Sequence, residues 1–123
     1  MQAKLTYISN VPTSATPGAA LTLTLTAKND GKAAEVLRFR NGGRIDMQLI
    51  SESGKVVLHW SKGMMFTMAL AAERLEPGAS KSWSITTQLP GDLPPGRYTV
   101  RLWSLATGLE TSSANNSLMR VTR

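Results

Sequence analysis

Any chemistry in this 123-residue chain has to run through one imidazole, because His59 is its only histidine and cysteine is absent. A thiolate nucleophile, a disulfide framework and a cysteine-held metal site are all closed to it. A Ser-His-Asp relay would need His59 with Asp46 or Asp92 and one of many serines, yet no Gly-x-Ser-x-Gly elbow occurs. The strand-like alternation of Leu58, His59 and Trp60 predicts a solvent-facing imidazole. Paired carboxylates would have to be Glu73 and Glu76, which read as solvated acids beside a turn. One histidine and scattered acids are too few for a metal site, and no cofactor motif is present. The residues predict a protein that is not an enzyme, takes no cofactor and shows no small-molecule substrate.

Charge points towards anionic partners. Fourteen Lys and Arg against eight Asp and Glu leave a net charge of +6, an excess that attracts acidic surfaces or nucleic acid. The basic residues are scattered, without a run of five like charges. Arg38 and Arg40 share one face of a strand, and Arg97 and Arg101 share the corresponding face of another. Adjacent strands would merge them into a basic stripe. Phe39 and Tyr98 point the other way and only Trp103 sides with the arginines, so a base-stacking platform is missing. The expectation is a solvated outer face that discourages sheet aggregation, with nucleic acid disfavoured.

The elements that must carry these residues are strands. Leu21-Thr22-Leu23-Thr24-Leu25-Thr26-Ala27 alternates with period two, its leucines on one face and β-branched threonines on the other. Thr16-Pro17-Gly18 opens it and Asn29-Asp30-Gly31 closes it with turn chemistry. Further strands are predicted over residues 5–9, 36–40, 45–50, 56–60, 82–87, 97–104 and 118–122. Leu93-Pro94-Pro95-Gly96-Arg97-Tyr98 has the form of a tyrosine corner, in which the phenol returns to the backbone of the preceding turn. The prediction is a single domain over residues 1–123: an all-β, immunoglobulin-like antiparallel β-sandwich of seven to eight strands with Greek-key connections. Its inward residues are Leu21, Leu23, Leu25, Leu37, Phe39, Met47, Leu49, Trp83, Ile85, Tyr98, Val100 and Leu102. A chain of this length buries roughly 65% of its unfolded surface, enough for a core without staples. No apolar run nears the roughly 20 residues of a membrane span. Residues 1–7 are polar and mixed, unlike a secretory leader; the chain reads as cytoplasmic if complete, or as an exported mature form.

Residues 60–74 depart from the alternation. They are rich in Met, Ala and Leu, which favour helix over strand, and a connection this long is uncommon in a compact sandwich. Two readings are open. Met65, Phe66 and Leu70 could fold down as a short helical turn that plugs one end of the sandwich. Alternatively, Lys62, Gly63, Met64, Met65 and Phe66 form an exposed loop whose apolar side chains enter a partner's cleft, with Gly63 allowing the bend. Both hold together if Phe66 and Leu70 anchor the loop while Lys62 to Met65 stand out.

The stretch from Asp46 to Val100 resembles the intracellular proteinase inhibitor family first described from Bacillus. The resemblance rests on Trp60-Ser61-Lys62-Gly63-Met64-Met65-Phe66 after a strand, then Leu75-Glu76-Pro77-Gly78, then Leu93-Pro94-Pro95-Gly96-Arg97-Tyr98. With the Leu21 strand and the Asn29 turn it covers about two thirds of the chain. It implies a β-sandwich that inhibits serine proteases of the subtilisin type by reversible binding, with a protease as partner. The alternative, from a different class, is an immunoglobulin-like interaction or adaptor module without inhibitory activity.

Overall fold

The computed structural model describes residues 5–107 and 115–122; the first four residues of the polar N-terminal stretch lie outside that range. Ten strands form among them: β1 (Leu5–Asn10), β2 (Ser14–Ala15), β3 (Ala20–Asn29), β4 (Glu35–Phe39), β5 (Ile45–Ser51), β6 (Val56–His59), β7 (Ala71–Leu75), β8 (Ser80–Gln88), β9 (Gly96–Ser104) and β10 (Asn115–Val121). All eight expected strands are present within two or three residues at each end. The expected count of seven to eight is nevertheless too low, because β2 and β7 have no alternation to reveal them. β2 is two residues long and pairs parallel to β10. β7 has the composition of a helix, and its pairing with β4 overrides that preference. Among the described residues no helix forms, so none is long and apolar enough to cross a membrane.

One sheet has the order β1-β3-β8 and the other β2-β10-β9-β5-β6, while β4 and β7 form a separate two-stranded ribbon. The chain leaves the first sheet through β4 to reach β5 and returns from β6 through β7 to β8. Leucines 21, 23 and 25 of β3 and Ile85 of β8 meet Met47, Leu49, Val100 and Leu102 from the opposite sheet in one buried cluster. That is the sandwich core. A second cluster of Leu5, Ala27, Leu37, Phe39 and Leu75 lies under the ribbon. Eleven of the twelve expected inward residues are buried; Trp83 is half-buried and packs where the two clusters meet. Its ring lies edge-on to Phe39 at 6.2 Å.

Local chemistry fixes the outer face and the turns. The register of β3 with β8 sets Thr22 opposite Thr86, Thr24 opposite Ser84 and Thr26 opposite Ser82, each pair hydrogen-bonded. The turn over Glu76, Pro77, Gly78 and Ala79 closes with Ala79 N–H on Glu76 O at 3.0 Å, and Gly78 has φ of +78°, the left-handed value a type II turn requires there. Tyr98 donates its hydroxyl to Pro94 O at 2.7 Å, within the backbone stretch the tyrosine corner predicts.

The basic stripe does not form. β4 pairs with β7, whereas β9 lies between β10 and β5 in another sheet. Arg101 instead stands over the Trp103 ring at 5.8 Å on its own strand.

Candidate functional site

The β5–β6 hairpin brings Asp46 and His59 together, because its register pairs Gln48 with His59 and Asp46 follows two residues along β5 on the same face. His59 faces outward yet is no free surface residue: its side chain is 31% exposed and Nε2 lies 2.9 Å from Asp46 Oδ2. The expectation of a solvated imidazole is corrected here, since a buried carboxylate and the Trp103 ring, 5.9 Å away, cover it. Asp46 also accepts the Met47 amide at 2.8 Å, the Ser61 amide at 3.2 Å and the Ser61 hydroxyl. A buried carboxylate with four donors is fully satisfied.

Asp46, His59 and Ser61 are thus neighbours, but their arrangement is not a nucleophile relay. A relay threads the imidazole between acid and hydroxyl, one ring nitrogen to each. Here one nitrogen, Nε2, faces both Asp46 and Ser61 Oγ, the latter at 3.3 Å. Nε2 must carry a proton to bond the carboxylate, so it cannot take one from Ser61, whose own proton is already directed to Asp46. The cluster is a structural clasp. It holds the point where the chain leaves β6 and enters the long connection.

The connection turns sharply from that clasp. Trp60 N–H bonds Met47 O at 3.0 Å, Lys62 N–H bonds His59 O at 3.1 Å, and Met64 N–H bonds Ser61 O at 2.9 Å. Gly63 occupies the third position of the last turn with φ of +83°, where a β-carbon would be strained. Phe66 comes back onto Trp60, ring centroids 6.1 Å apart, and lies against Gly43. Thr67 O then accepts the Gly42 amide at 2.7 Å. A clasp, a glycine turn and an aromatic pair therefore fix both ends of a short protruding segment.

Within it Lys62, Gly63, Met64 and Met65 are exposed and Phe66 is half-buried. Met65 is 97% exposed. The helical plug is overturned: no helix forms, and neither Met65 nor Leu70, which is 84% exposed, reaches the core. Beyond the pinned end at Phe66 and Thr67, Met68 and Leu70 stay exposed. Phe66 anchors as expected; Leu70 does not.

Glu73, expected in solvent, is the other correction. Its side chain is 15% exposed, with Oε2 2.6 Å from Arg44 Nε and Oε1 on Lys81. Burial opposes ionisation, but the hydrogen bonds and charges of Lys81 and Arg44 outweigh it and hold the carboxyl below its ordinary range. Arg44 also lies 4.4 Å over the Phe39 ring and bonds Asn41 O at 3.0 Å. This triad ties β7 to β8 and to the connection that leads into β5. Glu76 is exposed, as expected, and pairs with Arg74.

Together these features define a class: a β-sandwich that presents an apolar loop from a fixed root. The chain belongs to the intracellular proteinase inhibitor family, BsuPI, whose family model matches residues 9–109 and so includes the whole connection and its clasp. No curated protein sequence matches it. Solved structures share the fold at low identity. The CARDB domain of a Pyrococcus furiosus protein, described in complex with di-metal ions, is 12% identical with a TM-score of 0.60, over 98% of this chain and 90% of that one. Spo0M, a sporulation control protein from Bacillus subtilis, is 17% identical with a TM-score of 0.59, over 100% of this chain and 51% of that one. A β-glucosidase from Listeria innocua is 13% identical with a TM-score of 0.56; the match covers 98% of this chain but only 16% of the enzyme. Among the described residues no group of three or more His, Cys, Asp or Glu is placed to hold a metal ion.

Proposed function

We propose that the chain, as a single immunoglobulin-like Greek-key domain over residues 1–123, inhibits a serine protease of the subtilisin type by reversible binding, using Lys62, Gly63, Met64, Met65 and Phe66 as its contact loop. One observation carries the reading. Trp60 and Phe66 pack on each other, Ser61 bonds Asp46 and Gly63 makes the turn, whereas Lys62, Met64 and Met65 between them are left exposed. Sites that hold the loop and sites that could meet a partner alternate along the same seven residues. A loop pinned at both ends loses little freedom on binding, which is how small inhibitors keep their affinity. Met64 or Met65 enters the apolar specificity pocket, and Lys62 draws an acidic rim towards it. No bond is made or broken by the inhibitor.

The test is inhibition of a subtilisin-type protease by the parent and by a Met64→Asp, Met65→Asp double variant. The parent should inhibit at micromolar concentration and the variant at least about 100-fold more weakly, since two buried apolar anchors are worth roughly 3 kcal/mol or more. The variant should unfold at the same denaturant concentration, because both side chains lie outside the core. A parent without effect overturns the inhibitor reading for that protease; equal inhibition by both proteins moves the contact site elsewhere.

A further inference from the structure

The ribbon of β4 and β7 carries charge on its outer face that its surroundings leave unused. Its register sets Arg38 opposite Ala72 and Arg74 opposite Val36, and Arg40 follows at the end of β4 beside Leu70. Arg74 pairs with Glu76, and Arg44 nearby pairs with Glu73. Arg38 and Arg40 are exposed and have no ion-pair partner among the described residues. Between them runs a groove of about 380 Å³ walled by Arg38, Arg40, Leu70, Ala72 and Thr107. It adjoins a cleft of about 250 Å³ beside Asn41 and Leu105. The walls are fixed: Thr107 N–H bonds Arg38 O at 2.8 Å, Leu105 N–H bonds Arg44 O at 2.9 Å, and the Gly42–Thr67 bond ties this end to the contact loop.

We infer that this groove is a second contact site, built for an extended acidic segment of the partner protein with carboxylates at alternate positions beside an apolar residue. The spacing dictates the pattern. Two residues along a strand span about 7 Å, and an extended peptide repeats its side chains on one side at the same interval. Carboxylates at i and i+2 therefore meet both guanidiniums, each in a charge-assisted pair. Leu70 offers apolar surface next to them, and Ala72 leaves room for a main chain to approach. Among the described residues Glu73, Glu76 and Asp46 are engaged elsewhere, which leaves both guanidiniums open to a partner's carboxylates. A nucleic-acid strand fits less well: Phe39, the aromatic ring of the groove, is 2% exposed and offers no face for a base to stack on. The inference rests on the inhibitor reading in one respect, the identity of the partner as the protease that takes the loop tip.

Fluorescence anisotropy of a labelled Glu-Val-Glu-Leu peptide at low ionic strength tests the groove directly, alongside protease inhibition by the same proteins. The parent should bind the peptide, an Arg38→Ala, Arg40→Ala variant about ten-fold more weakly or not at all, and the Met64→Asp, Met65→Asp variant as well as the parent. The arginine variant should also inhibit the protease less, with a shallower dependence on salt. Absence of peptide binding, binding that survives loss of both arginines, or tighter binding of an oligothymidylate overturns the groove. Arginine-dependent peptide binding by a parent that does not inhibit leaves the groove standing and defeats the inhibitor reading. Inhibition with peptide binding unaffected by the arginines does the reverse.

Discussion

Asn29 and Asp46 are both buried polar residues on strands, and they hold two opposite kinds of connection. Asn29, fully buried, gives its amide hydrogens to Ala33 O at 2.8 Å and Leu75 O at 3.0 Å and accepts the Gly31 amide at 2.9 Å. Its own backbone bonds Ala79 and Gly78, so it joins the turn after β3 to the turn after β7. Every partner is main chain. The result is a tight junction with no surplus surface. Asp46 also accepts from main chain, but shares its carboxylate with the side chains of His59 and Ser61 and holds only the root of a long connection. Beyond that root four large apolar residues, Met64, Met65, Met68 and Leu70, remain exposed. A buried amide closes the chain onto itself, whereas a buried carboxylate at the base of a hairpin lets the chain stand away. The second end is the one we propose as the contact site.

The comparison breaks most visibly at Asn29. Asn29→Leu strands the buried Leu75 carbonyl and removes the part-buried bonds to Ala33 O and from the Gly31 amide, and should cost about 3 kcal/mol, read from urea unfolding. A loss under about 1 kcal/mol would mean water replaces the amide, and the junction would no longer differ from an ordinary turn. Asp46→Ala should cost about 2 kcal/mol and act locally. Amide exchange at Met47 and Ser61 should speed up beyond the change in global stability, with weaker protease inhibition as the loop loses its root. Unchanged exchange at those two amides would remove Asp46 from the role of clasp.

Tyr98→Phe supplies the reference for a single bond at neither region. Loss of the 2.7 Å contact to Pro94 O should cost about 1–2 kcal/mol without affecting inhibition. The smallest effect belongs to Glu73, which ties β7 between the two regions. Its folded-state pKa lies below the ordinary value, so its stabilisation is fully present above that value and fades as pH falls through the folded-state pKa. The denaturation midpoint should drop on going from about pH 6 to about pH 3, and Glu73→Gln should flatten part of that slope. An unaltered slope in the variant would show that Glu73 contributes nothing to the acid sensitivity of the fold.

Much of the fold is legible residue by residue. The Leu-Thr alternation of β3, the Pro-Gly turn before β8 and the tyrosine corner each carry their structure in a few consecutive letters. β7 is illegible for the opposite reason, since Ala71, Ala72, Glu73 and Arg74 prefer a helix and become a strand only because β4 and the Glu73 triad lie beside them. The clasp was half legible. Asp46 and His59 could be singled out as chemistry-bearing residues, but the hairpin register that joins them depends on an irregularity between Leu49 and Ile50 that no local pattern announces.

By itself the sequence determined the all-β class, the inward faces of β3, β4, β5, β8 and β9, the family and the segment that departs from the sandwich pattern. These depend on period-two alternation and turn residues, which act over a few positions and need no partner. Only the tertiary structure decided that Leu70 lies outside and Glu73 inside, that His59 is clasped rather than solvated, and that Arg38 and Arg40 flank a groove instead of joining Arg97 and Arg101 in a stripe. Each of those depends on which strand becomes whose neighbour. Pairing between distant strands is set by the whole core, through burial and ion pairs between residues far apart in the chain, and so it is written in no single stretch of it.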